Sequence, residues 1–249
     1  MPTSYSGAFY DEMKDTNLIS ARKISGLVMD MLSPRSVIDI GCGTGLWLKA
    51  FSERGASDIF GVDGSWVKDD MLVIPKDRFK AVDIEKPFTV GRTADLAVCL
   101  EVAEHVPASS AESLVAAIVA SAPVALFSAA IPLQGGSHHV NEQWPVYWQA
   151  IFAKHGYVPV DALRRRVWDD KDVSFFYAQN VLLYVDKAKL RSYPSLQAEI
   201  ASGHGAAPAF VHPFLYTYYA ERWRMLVPFL GKLPVGLLKR VKRALSRRA

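Results

Sequence analysis

The run VIDIGCGTG, Val37 to Gly45, constrains this chain more than any other stretch. Apolar, strand-favouring positions surround Asp39 and lead into three glycines at alternate positions, Gly41, Gly43 and Gly45. An apolar run of this length reads as a buried parallel strand, and glycines directly after it let the backbone turn sharply and approach a ligand closely. LWLKAFSERG follows with helical periodicity, so the turn joins a strand to a helix N-terminus, the layout of a nucleotide-type site.

A dinucleotide fingerprint needs G-x-G-x-x-G. Here the third glycine comes one residue early and Leu46 holds the expected position. A carboxylate two places before the first glycine repels a pyrophosphate and suits a cationic or amine-bearing ligand. The pattern D-x-G-x-G-x-G resembles motif I of the class I S-adenosylmethionine (SAM) methyltransferases. The resemblance implies that Asp39, Gly41, Cys42, Gly43 and Gly45 bind the methionine and ribose parts of SAM. A glycine-rich turn of some other α/β protein is the plain alternative.

The chain has 249 residues, half of them hydrophobic, which suits one generous domain. No apolar run reaches the ~18–20 residues of a membrane span, and MPTSYSGAFYDEMKD has neither the basic nor the apolar segment of a signal peptide. Cys42 and Cys99 have no metal-type spacing, and a reducing, cytoplasmic setting is expected. The formal charge of +4 is unevenly spread. Lys239, Arg240, Lys242, Arg243, Arg247 and Arg248 sit at the C-terminus; without them 23 basic groups face 25 acidic ones. A nearly neutral body argues against nucleic acid as a partner.

Along the chain, residues 1–33 read as a leader and a helix stopped by Pro34. Strands are expected at Ser36–Ile40, Asp58–Asp63, a short one ending near Asp83, Asp95–Glu101 and Val124–Pro132. Helices are expected at Leu46–Arg54, from Ser109 or Ser110 (as cap) to Ala122, and at Glu142–His155. Tyr157–Trp168 and Val173–Val185 read as an antiparallel pair. Alternating strands and helices give an α/β, doubly wound, mostly parallel sheet. The resemblance implies seven strands in the order 3-2-1-4-5-7-6 with an antiparallel edge hairpin. The expected domains are a helical leader over 1–35, a methyltransferase domain over 36–185 and a C-terminal extension over 186–249.

Ligands of open α/β sheets bind at the carboxyl ends of the strands. Asp63 ends strand two, about twenty residues past the glycine turn, where a carboxylate can accept from ribose hydroxyls. Asp83 ends strand three, where the resemblance implies an acid near the adenine amino group; Ile84 offers a backbone N–H and an apolar wall. Trp47 or Trp66 could line the pocket.

Strand four runs into LEVAEHVP, so Glu101, Glu104 and His105 stand at i, i+3 and i+4 and share a side if the turn is helical. This E-x-x-E-H segment resembles the ubiquinone-pathway O-methyltransferases and the small-RNA 3′-terminal 2′-O-methyltransferases. The resemblance implies a divalent metal on Glu101, Glu104 and His105, and two carboxylates with an imidazole suit Mg²⁺ or Mn²⁺. Without metal, His105 could act as general base and Glu101 could bind the cofactor.

GGSHHVNEQWPVYW follows strand five and reaches the same rim. His138 or His139 could be a further ligand or the base. Asn141 and Glu142 could bond sugar-like hydroxyls, with Trp144 stacking on a ring; the plain reading has Asn141 capping the next helix. Tyr177, Gln179 and Asn180 at alternate strand positions could line the acceptor pocket. PVGLLKRVKRALSRRA, 234–249, can form a basic amphipathic helix that lies on an anionic membrane surface.

The reading is a SAM-dependent O-methyltransferase acting on a small-molecule or glycan hydroxyl, with a sugar hydroxyl preferred. A phenolic or quinol-type lipid is the second acceptor class. A nicotinamide-dependent oxidoreductase and a non-catalytic module of the same fold are the alternatives from other classes.

Overall fold

The structure is a computed structural model that describes residues 7–230, with side chains over 16–223. The chain divides into two compact units, Met1–Phe210 and Val211–Ala249.

The first unit is built on one seven-stranded sheet in the order β3-β2-β1-β4-β5-β7-β6. Its strands are β1 (Ser36–Ile40), β2 (Asp58–Asp63), β3 (Phe79–Ala81), β4 (Leu96–Leu100), β5 (Val124–Ser128), β6 (Tyr157–Val160) and β7 (Leu182–Asp186). Strands β1 to β5 pair in parallel, whereas β7 runs antiparallel to both β5 and β6. This is the expected architecture.

Side-chain alternation divides the core into two layers. Val37, Leu96 and Val98 face one layer, where helices α1 (Gly7–Leu32) and α2 (Leu46–Glu53) bury Ala21, Ile24, Val28, Leu48 and Phe51. Ile38, Ile40, Ala97 and Cys99 face the other, covered by α3 (Ala111–Ser121) and α4 (Pro145–Lys154) through Leu114, Ile118, Trp148 and Phe152. The N-terminal helix is therefore part of the same core as the sheet: Ile24 and Val28 are fully buried. So is Leu196 of α7 (Pro194–Glu199), which lies beyond residue 185.

Several expected boundaries differ. Strand β3 stops at Ala81, because the Asp83 carboxylate accepts from the Glu85 N–H at 3.2 Å and pairs with Lys86 at 2.7 Å, closing a turn. Strand β5 stops at Ser128, where the chain turns into the rim loop. Ser110 stands at the start of α3 without capping it; its hydroxyl donates instead to the Glu85 carbonyl at 2.6 Å. Helix α4 begins at Pro145 rather than Glu142. Proline holds Trp144 in an extended conformation and takes the first helical position, so Asn141 is not the cap.

The expected hairpin pairs only over its outer ends, Tyr157–Val160 with Leu183–Asp186. The chain between folds into α5 (Arg164–Val167) and α6 (Phe175–Asn180), so Tyr177, Gln179 and Asn180 lie on a helix and not on a strand. Arg164 anchors this excursion. Its guanidinium is 1% exposed, forms two hydrogen bonds to Asp161 at 2.9 and 2.7 Å, and donates to the Gln179 and Pro208 carbonyls.

The second unit holds α8 (Pro213–Leu230). The basic stretch 234–249 lies outside the described residues. No helix among those described is long and apolar enough to cross a membrane.

Candidate active site

A cavity of about 360 Å³ opens at the carboxyl ends of β1, β2 and β4. Its floor is the glycine turn. Gly41 and Gly43 have φ of +81° and +52°, a region open to glycine at little cost. A Cβ at Gly41 would lie 2.4 Å from Val102 Cγ2, so the turn can seat against the β4 exit only as glycine. Gly45, with φ of +89°, starts α2 and does not line the cavity.

Asp63 is 6% exposed and reaches the cavity. Its Oδ2 accepts from the Gly43 N–H and its Oδ1 from the Gly64 N–H, each at 2.6 Å. Each oxygen keeps a lone pair for a ligand hydroxyl. Burial raises its pKa to about 6, against the lowering effect of those two amides. Asp39 and Cys42 are buried beneath the turn and do not line the cavity. Burial and the neighbouring Asp63 push the Asp39 carboxyl well up, and its Oδ2 has no partner. Ile84 and Trp66 form an apolar wall. Asp83 does not: its side chain is half exposed and turned to Lys86, which corrects its expected place near the adenine.

On the opposite side, Glu101 leaves β4 with φ of +52°, an unfavourable conformation for a residue with a Cβ. Its N–H is held by the Ser128 hydroxyl at 3.0 Å. Its carboxylate accepts from Asn180 at 3.0 Å and Gln134 at 2.9 Å. Gln179 donates to Gln134 and Asn180 in turn, so these amides close a buried polar ring around Glu101. The 3-10 turn Ala103–His105 then presents Glu104 and His105 to the cavity. Glu104 is fully buried, and neither of its carboxylate oxygens has a hydrogen bond. The Glu101 carboxyl and the Glu104 and Ala130 amides lie near it without reaching that geometry. Burial, then Glu101, pushes the Glu104 carboxyl well up.

The loop after β5 completes the wall. Leu133 and His138 take φ of +67° and +60°, and Glu142 braces this loop. Its carboxylate accepts from the Leu133 N–H at 2.8 Å, the Gly135 N–H at 3.0 Å and His139 Nδ1 at 2.9 Å. His139 meets the His105 ring edge-on with centroids 4.8 Å apart. A Cβ at Gly136 would fall 2.3 Å from His139 Nε2, so glycine leaves room for the imidazole. The Val140 and Asn141 amides donate to the Glu104 carbonyl and tie this loop to the 3-10 turn. Burial, followed by the charge of His139, lowers His105 to about 4.

His105 and His139 thus line the cavity, with Glu142 directly behind His139, while His138 and Trp144 are exposed and outside it. Asn17 of α1, Gln134 and Phe176 line it as well, and sequence reasoning missed all three. Gln134 stands in a polar loop that signalled only its neighbours. Asn17 and Phe176 carry no local signal and arrive through tertiary packing. Glu104, His105 and His139 each offer a ligand atom, all within 4.8 Å of one another. The expected trio had Glu101 in place of His139; Glu101 lines the same cavity, with one oxygen accepting from Asn180 and the other from Gln134.

A sheet of this order, with a glycine turn after β1 and an acid ending β2, defines the class I SAM-dependent methyltransferases. Residues 17–169 match the family described as a methyltransferase domain, and the chain belongs to that family. Similar folds occur in DesVI of Streptomyces venezuelae (15% identity, TM-score 0.53, 72% of this chain and 95% of that one). They occur also in the sugar N-methyltransferase KedS8 of Streptoalloteichus (18%, 0.54, 72% and 91%). A third is CalS10, a SAM-bound amino pentose methyltransferase from Micromonospora echinaspora (16%, 0.52, 74% and 98%). No curated protein matches the chain.

The cavity fits SAM. The turn is free of side chains at Gly41 and Gly43, Asp63 has acceptor capacity left, and Ile84 offers an apolar wall. No Lys or Arg is among the described residues that line it, and its acids suit a ligand carrying a sulfonium and an amine.

Proposed function

We propose that the protein transfers the SAM methyl group to a hydroxyl, with a sugar hydroxyl of a glycan or glycosylated metabolite as the preferred acceptor. The observation that carries this reading is the Glu142–His139 pair at the cavity wall. A carboxylate on Nδ1 selects the tautomer with the proton there and leaves Nε2 as the acceptor. A hydroxyl, unlike a free amine, must lose its proton as its oxygen is methylated, and His139 Nε2 takes that proton. Glu142 orients the ring and stabilises the imidazolium. His105, lowered to about 4 by burial, is neutral near pH 7 and packs its ring edge-on against His139.

SAM, when bound, supplies an activated methyl group, so the chain has mainly to align donor and acceptor and remove the proton. Asn17, Ser137 and Glu104 offer polar contacts to a hydroxylated ring, and Phe176 and Tyr177 offer aromatic faces. The absence of Lys and Arg among the described lining residues disfavours an acceptor with a phosphate near the reacting group. The names of KedS8 and CalS10, both acting on sugars, support the sugar class and offer nitrogen as the rival acceptor atom.

The test is a mass-spectrometric screen of glycosides, amino sugars and quinols for the gain of one methyl group, with His139→Ala beside the native protein. An O-methyl glycoside made by the native protein and lost with His139→Ala is the expected result. Methylation of nitrogen, or turnover that survives His139→Ala, would overturn the reading.

A second reading has its own observation. Glu104, with two orphaned oxygens, joins His105 and His139 as a donor set for Mg²⁺ or Mn²⁺. Glu142 behind His139 is then the carboxylate that orients a ligating imidazole. A metal there would polarise the acceptor hydroxyl. Calorimetric titration of the native protein with Mn²⁺, and dialysis against a chelator, test it; no binding and full activity after dialysis would remove the metal.

A further inference from the structure

The second unit carries surface that the methyl-transfer chemistry does not use. Along α8, Phe214, Tyr216, Tyr218 and Trp223 are 57%, 70%, 44% and 51% exposed. Helical spacing puts Tyr216, Tyr219 and Trp223 in one stripe, while Phe214 and Tyr218 fall on the far side with Thr217 and Glu221. Such a density of solvent-facing aromatic surface on one helix marks an interaction site. Tyrosine and tryptophan, apolar in body and polar at the tip, are the side chains that settle at a membrane–water boundary.

Charge indicates what covers this surface. Residues 211–249 hold nine Lys and Arg against the single acid Glu221, a net of +8, while residues 1–210 hold 20 basic and 24 acidic groups, a net of −4. Seven of the nine follow α8 directly, between Lys232 and Arg248, with no acid among them. An aromatic stripe continued by a basic run complements a surface that is apolar inside and negatively charged outside. Polybasic segments beside such amphiphilic stretches are drawn to anionic headgroups, and the apolar residues then anchor them. Tyr and Trp serve protein interfaces as well, so it is the run of seven cations without an acid, suited to many anionic headgroups rather than one acidic rim, that favours a lipid surface.

We propose that residues 211–249 form a peripheral docking site for an anionic phospholipid surface, with the aromatic stripe of α8 as anchor and the basic run after it as electrostatic tether. The site holds the first unit, whose own charge is slightly negative, near that surface without spanning it.

The experiment is co-sedimentation of the full chain with vesicles of phosphatidylcholine alone and of phosphatidylcholine mixed with phosphatidylserine. Binding is expected to the mixed vesicles, at least about tenfold above the neutral ones, and to weaken as salt rises. Replacing Lys239, Arg240, Lys242 and Arg243 by Gln is expected to lower the partition by roughly two orders of magnitude or more. Tyr216→Ala with Trp223→Ala is expected to lower it severalfold while SAM binding, measured by calorimetry, stays at the native value. Equal recovery in the supernatant with both vesicle types would overturn the proposal. So would a native dimer in sedimentation equilibrium that Trp223→Ala splits, because the stripe would then belong to a second copy of the chain.

Discussion

Asp63 offers the sharpest test of how this cavity holds its cofactor, because binding can be measured without knowing the acceptor. Its two oxygens accept from the Gly43 and Gly64 amides at 2.6 Å, so the carboxylate both shapes the glycine turn and faces the cavity. Asp63→Ala removes the acceptor for the ribose hydroxyls and orphans two backbone donors. Hydrogen bonds to a charged group contribute about 1.5–3 kcal/mol. SAM affinity should therefore fall by roughly 10- to 150-fold. Asp63→Asn keeps the shape but turns an NH₂ toward one of the two amides, so it should fall within the same range.

The pH dependence follows from the carboxyl's raised value of about 6, caused first by burial. In the ligand-free fold the ionised form is disfavoured. Stability is then greatest below the unfolded value of 3.8 and is lost as pH rises toward 6, by about 3 kcal/mol in full. SAM reverses the preference, since ribose hydroxyls donate to the ionised carboxylate. At pH 5 only about a tenth of Asp63 is ionised, so SAM should bind about tenfold more weakly there than at pH 7. Isothermal titration at several pH values measures the SAM effect, and urea denaturation of the ligand-free protein over the same range measures the stability effect. Native affinity that is flat from pH 5 to pH 7, or an Asp63→Asn protein that binds SAM as the native one does, would refute the assignment of Asp63 to the ribose.

Gly41→Ala should lose SAM binding together with about 2 kcal/mol or more of stability, since its φ is +81° and the new methyl would lie 2.4 Å from Val102; a normal melting curve and normal affinity would contradict the close seating of the turn. Glu142→Gln should lower kcat by roughly 10- to 1000-fold with SAM affinity unchanged, as His139 loses its orienting carboxylate; the nitrogen-15 shifts of the ring, which report the tautomer, should move with it. Arg164→Met should destabilise the fold by about 3–5 kcal/mol, because it leaves Asp161 buried without its partner; urea denaturation reads this directly, and a loss under 1 kcal/mol would show that the pair is dispensable.

The central strands and the glycine turn were legible in the sequence because burial on both faces leaves continuous apolar runs, and because only glycine fits where the turn meets Val102. Boundaries set by side-chain chemistry were not. Asp83 reads as a strand end, yet its carboxylate has Lys86 and the Glu85 amide within reach, and this local turn wins over a third ligand-facing acid. The start of α4 was misplaced for a similar reason, since Pro145 forces an extended residue before it and outweighs the capping tendency of Asn141.

The E-x-x-E-H segment shows why a motif and a site differ. Spacing alone puts Glu101, Glu104 and His105 on one side, as equals. In the fold a buried ring of amides from Gln134, Gln179 and Asn180 captures Glu101, and two of those residues lie about eighty positions along the chain. Each Glu101 oxygen is fixed by one amide, while Glu104, three residues on, is buried with neither oxygen hydrogen-bonded. The division of labour is thus set by residues near 180, held over the rim by the Arg164 anchor at the Gln179 carbonyl. Nothing near residue 101 encodes it. Loosening that anchor should reach the acids of the site before it reaches the glycine turn, since the turn is built from β1 and β2, outside the Arg164 contacts.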